Sequence, residues 1–261
     1  MGHIRLGNLP KTRNWKQVIS LLDETSDPAL IAEATLKAAS SILKKAPNDL
    51  GIAHCFWLLT QLPFEARSPD FFAQAKKLGL KLSSDPSLLE LTSAFTEAVD
   101  DHLRKNGRRT DLSEIAQLAA SESLTACCAE KTRSLFGTNP DDLRRAIEDL
   151  SNPKKFSYLS KRFFGAFTQR YLSYFLSKEL SNHVGANATL SNLREHTEFN
   201  DALKTYCQQS AKIVEEFSGA WFSKTKFFEG TITPEKAKGF LYVAFKKIVS
   251  ELKREGPKDE E

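Results

Sequence analysis

The chain has 261 residues, 41% of them hydrophobic and 27% charged, with a formal net charge of +4. This is enough apolar material for one large core or two small ones, and too small a charge excess to argue for nucleic acid by itself. Even in the most aromatic stretch, the longest uncharged runs, such as Tyr171–Ser177, are seven residues, against the roughly 20 that a spanning helix needs, so no membrane partner is expected.

Residues 1–14 show no helical period. Gly2, Gly7 and Pro10 predict an extended arm, anchored by Ile4, Leu6 and Leu9 and made basic by Arg5, Lys11 and Arg13. The first acid in the chain is Asp23. Helices are then predicted at 15–24, 28–45 and 48–62, the last ended by Pro63 and carrying His54 as a core histidine. A short helix at 69–78 and a longer one at 86–105 follow.

Six starts share one device, a capping residue before proline: Asp27-Pro28, Ser68-Pro69, Asp85-Pro86, Asn139-Pro140, Asn152-Pro153 and Thr233-Pro234. Proline is tolerated at the first helical position because the N–H it lacks has no partner there. No segment sustains strand alternation, and no fixed period carries repeated residues. The fold class is therefore all-α, a bundle of about nine to ten helices.

The turn at 102–109 gathers Arg104, Lys105, Arg108 and Arg109. Basic residues at a helix C-terminus suit the dipole, and the same four could meet a phosphate backbone. A long helix at 111–136 and a charged one at 140–150 lead to the central stretch, 156–180. There Phe156, Leu159, Phe163, Phe167, Tyr171 and either Tyr174 or Phe175 recur at three- and four-residue steps, the mark of one buried helical face. Its other face carries Lys154, Lys155, Lys161, Arg162, Arg170 and Lys178, the largest basic cluster in the chain.

After it comes a polar loop to Asn192. Asn182, His183, Arg194 and His196 form a candidate polar cluster around it, which could contact a partner or do acid–base work. Helices at 195–228 and 234–254 are expected to form one aromatic-rich bundle with 156–180. Gly165, Gly219 and Gly239, inside these helices, predict close crossings. The acidic tail 255–261 is expected to be disordered. In outline, the arm occupies 1–14, an N-terminal helical part 15–137, and the aromatic bundle 138–254, continuous with it.

Cys55, Cys127, Cys128 and Cys207 have neither CxxC nor zinc spacing. They read as reduced thiols, mostly buried, in a cytoplasmic protein whose N-terminus lacks an apolar signal region. No nucleotide-binding, serine-hydrolase or zinc-protease motif occurs; no catalytic residue, metal or cofactor is expected. The leading expectation is a non-catalytic helical interaction subunit with a protein partner in a larger, bacterial assembly. The alternative is a DNA- or RNA-binding accessory protein, of an anti-phage defence or mobile-element system, acting through the basic residues.

Overall fold

A computed structural model describes residues 12–24, 28–132, 140–180 and 193–254. Among them are eleven α-helices and no strand. In chain order they are α1 (Arg13–Glu24), α2 (Pro28–Leu43), α3 (Leu50–Glu65), α4 (Phe71–Lys77), α5 (Leu88–Asn106), α6 (Asp111–Thr132), α7 (Pro140–Asp149), α8 (Pro153–Leu180), α9 (Leu193–Ser210), α10 (Lys212–Glu229) and α11 (Pro234–Arg254). The loop 181–192, the tail 255–261 and the arm as far as Lys11 lie outside the described residues, and with them Arg5, Lys11, Asn182 and His183.

Four of the six cap–proline starts place proline first in a helix: Pro28, Pro140, Pro153 and Pro234. Asn152 Oδ1 accepts the Lys154 N–H at 3.0 Å, and Thr233 Oγ1 accepts the Lys236 N–H at 3.3 Å. The other two helices open later than predicted. After Pro69 the Ser68 hydroxyl accepts the Asp70 N–H, and helix begins only at Phe71. After Pro86 the cap is Ser87, whose Oγ accepts the Glu90 N–H at 3.1 Å.

Three further boundaries differ from expectation. Arg13 is not in an extended arm but opens α1, where Thr12 Oγ1 accepts the Trp15 N–H. Pro63 does not break α3, which runs on to Glu65; the Ala66 N–H then closes on the Leu62 carbonyl at 3.0 Å. The single helix expected at 195–228 is two, parted at Ala211. Here the Ser210 hydroxyl bonds back to the Tyr206 carbonyl at 3.0 Å, and the Val214 N–H reaches only to Ala211. Such back-bonding bends helices, so the chain turns without glycine or proline.

The predicted aromatic bundle forms. Phe156 of α8 stacks on Phe222 of α10 at 3.7 Å between ring centroids, and Phe164 and Phe167 meet Phe245 of α11 at 5.2 and 5.3 Å. Its hub, however, comes from the first half of the chain. Phe56 of α3 touches Phe156, Phe163, Phe164, Trp221 and Phe240, the last stacked at 5.1 Å.

The three glycines divide. A Cβ on Gly219 would lie 2.3 Å from the Pro153 carbonyl oxygen and 2.5 Å from Ser157 Oγ. Its N–H donates to that same Oγ at 2.9 Å, so α10 crosses α8 backbone-close at this point. A Cβ on Gly165 would meet only the end of the Gln208 side chain, at 2.7 Å. At Gly239 nothing lies within 4 Å, so no close crossing occurs there.

Gly219→Ala is therefore expected to cost about 1–3 kcal/mol through forced backbone shifts. Gly239→Ala is expected to be neutral, or stabilising by up to about 1 kcal/mol through helix propensity. Denaturant unfolding of the two variants checks this; a Gly219→Ala protein as stable as the parent would remove the close crossing.

Candidate interaction surface

Much of the basic face of α8 is spent on neighbouring helices. Lys161 Nζ meets Glu215 Oε2 of α10 at 2.6 Å, and Arg170 meets Glu122 Oε2 of α6 at 2.8 Å. Lys155 pairs with Asp149 across the α7–α8 turn. Arg162 lies over the Tyr158 ring, 5.9 Å from its centroid. Lys154 is exposed, and Lys178 falls in the last turn of α8 with its side chain outside the described part.

The 102–109 turn is built similarly. Arg104 pairs with Asp101 one turn back, and Arg109 reaches both Asp100 and Glu114 at 3.7 Å. Lys105 and Arg108 are exposed. No described contact joins this turn to the α8 row. Arg13 is exposed at the start of α1, and Arg194 and His196 lie on the first turn of α9, their side chains outside the described part.

His54 is not a core residue. It sits half-buried at the α3–α5 edge, its ring stacked on His102 at 3.8 Å and 8° and flanked by Trp57 at 5.3 Å. Burial, with His102 beside it, holds the His54 imidazole down at about 3. Burial and the nearby Lys105 ammonium also lower His102. Two neutral rings can stack closely where two imidazolium ions would repel. No group of three or more His, Cys, Asp or Glu suited to a metal occurs among the described residues. Three of the cysteines are buried and Cys127 is half-buried, its thiol pushed up to about 11 by burial.

Two surface features stand apart. The first is a groove of about 630 Å³ between α6 and α8. Ile115 and Leu118 form its apolar floor, Leu118 with 48% of its surface exposed. Asp111, Glu114 and Glu122 line its α6 side, and Tyr174 of α8 donates its hydroxyl to Asp111 Oδ2 at 2.8 Å.

The second is the tip where α10 turns into α11. Phe227 and Phe228 stand 82% and 77% exposed, with their ring centroids 5.2 Å apart. Gly230, at φ +70°, ends α10 there, its N–H on the Lys226 carbonyl at 3.0 Å. A left-handed residue at this position suits glycine. The turn is braced from α3: Trp57 Nε1 and Gln61 Nε2 both donate to the Ile232 carbonyl at 3.0 Å. Lys226 lies 4.4 Å over the Phe64 ring, which itself stacks on Phe222 at 4.4 Å.

Neither feature was singled out in the sequence. The tip had a signal: the buried stripe of α10 runs Val214, Ser218, Phe222, so its next positions are 225 and 226. Phe227 and Phe228 fall out of phase with the core. No family model matches the chain, and no curated protein or solved structure matches it.

The His54–His102 stack makes stability depend on acid. Because the folded His54 binds its proton more weakly than the unfolded side chain, whose ordinary value is 6.5, its contribution is complete above that value. It is lost as pH falls from there towards 3. His54→Phe keeps a ring against His102 and removes one titration. Its loss of Tm between about pH 7 and about pH 4 is expected to be smaller than the parent's. Equal losses, followed by thermal unfolding, would show that the stack carries no such linkage.

Proposed function

We propose that this chain is a non-catalytic interaction subunit that docks on a protein partner through the Phe227–Phe228 tip. The observation that carries the reading is the pair itself: two adjacent rings, almost fully exposed, on a turn fixed by α3. Single exposed apolar residues are ordinary. Aromatic residues, Phe among them, are enriched at interfaces over the rest of the surface, and here two stand side by side on a rigid support. Rigidity matters because a surface already ordered loses little entropy on binding.

The DNA- or RNA-binding alternative draws less support. Phosphate contacts strengthen binding by releasing counterions, and Lys155, Lys161 and Arg170 are each already engaged by a carboxylate of this chain.

A photo-crosslinking residue in place of Phe227 is expected to give one discrete adduct in cells of the source organism. The same residue in place of Leu89, 76% exposed on α5, should give none, and Phe228→Ser should abolish the first. Equal labelling from both positions, or none from either, overturns the reading. In parallel, labelled DNA and RNA at ~50 mM salt should show no saturable binding with a steep salt slope. A steep slope would put the alternative in its place.

A further inference from the structure

We infer that the tip's partner is a second copy of this chain, which receives Phe227 and Phe228 in the groove between its α6 and α8. The inference rests on the reading of the tip as a docking surface and names what docks.

Charge is the first argument. The tip carries Lys224, Lys226, Lys236 and Lys238 against Glu229 and Glu235, and Glu229 is held by Lys236 at 2.8 Å. The groove offers Asp111, Glu114 and Glu122 against Arg170 and Lys204; Arg170 is held by Glu122, and Arg109, 3.7 Å from Glu114, is shared with Asp100, which leaves the rim one charge acidic. A net basic knob therefore meets a net acidic rim, which steers and orients association. Shape is the second. The floor of Ile115 and Leu118 is apolar, and about 630 Å³ is roomy enough for two phenyl rings. The rim stays wet, where lysine ammonium groups can remain solvated while their stems pack.

Placement is the third. Along α10, Glu215 meets Lys161, Gly219 meets Pro153, and Phe222 meets Phe156. α10 thus runs antiparallel to α8, and its tip extends past the N-terminal end of α8. The groove is lined by Gln169 to Ser177, roughly 25 Å further along α8 at 1.5 Å per residue. The tip cannot reach its own groove. Two different patches at opposite ends of one long helix make a heterologous contact, which builds head-to-tail rings or filaments.

The test uses two variants of the whole chain. Phe227→Ser with Phe228→Ser removes the knob; Leu118→Lys places an ammonium on the groove floor. Both change exposed residues, and circular dichroism and thermal unfolding confirm that each folds. By light scattering across a concentration series, the parent is expected to rise above monomer mass, less so at high salt. Each variant alone should stay monomeric, association of the double-serine variant being weakened by roughly 30-fold or more for each ring lost. Mixed, they should form a heterodimer and stop, because only one knob and one groove remain intact between them.

A parent chain that stays monomeric to several hundred micromolar overturns the inference. So does an associating parent whose variants fail to complement. If the parent is monomeric while the crosslinker at 227 still yields a discrete adduct, docking stands and self-docking falls. An adduct of twice the chain's mass supports both.

Discussion

Phe56 is the residue on which the rest of the packing depends. It is fully buried, and its ring lies among five others drawn from α8, α10 and α11. Tilted and offset aromatic packing of this kind adds to simple burial. It also joins the first half of the chain to α8, α10 and α11 through one side chain. Once α3 holds α8, α10 and α11 in this way, little of α8 is left for solvent. Its polar groups must then find partners inside the protein. Lys161 finds Glu215 and Arg170 finds Glu122. Ser160, Thr168 and Tyr171 have buried side-chain oxygens without a hydrogen-bond partner among the described residues, and burial raises the Tyr171 phenol well above its ordinary value. Each such oxygen costs on the order of 1–3 kcal/mol. The aromatic packing around Phe56 offsets that cost.

The basic face of α8 shows how a surface in the sequence differs from a surface in the fold. Read alone, Lys154 to Arg170 looks like a row of charges facing outward. In three dimensions Lys155 is met locally by Asp149 of α7, but the carboxylates that meet Lys161 and Arg170 come from residues 54 and 48 positions away, on α10 and α6. Part-exposed pairs of this kind contribute little to stability. They do occupy the charges, and they register α8 against both neighbours.

What was legible in the sequence was periodicity. Helix class, the buried face of α8 and four proline starts follow from local rules, and each is found. What was not legible required a second element. The break at Ala211 carries no glycine or proline; it comes from a serine bonding backwards within its own helix. Ser87 outcompetes Asp85 as a cap because only its hydroxyl reaches the third turn residue. Gly219 and Gly239 look alike in sequence and differ only in whether another backbone is near. Phe227 and Phe228 were legible in principle, as aromatics out of phase with their own helix. The groove was not, since its two walls lie far apart in the chain.

One helix connects these surfaces. At its start, Asp49 caps α3 by accepting the Gly51 and Ile52 N–H groups at 2.9 and 3.1 Å. The same carboxylate accepts the Thr110 and Ser113 hydroxyls, at 2.6 and 2.9 Å, and so fixes the first turn of α6 where the groove begins. Gly51 allows this approach: a Cβ there would lie 2.4 Å from that of Ser113. Towards its other end, Trp57, Gln61 and Phe64 brace the tip. From Asp49 to Phe64 is about 23 Å of helix. α3 is thus a strut with the groove tied to one end and the tip to the other, and Phe56 between them locks it into the core. A head-to-tail assembly needs a fixed distance and angle between knob and groove, since these decide whether successive copies close into a ring. In this fold that geometry is set by a buried helix and not by a loop.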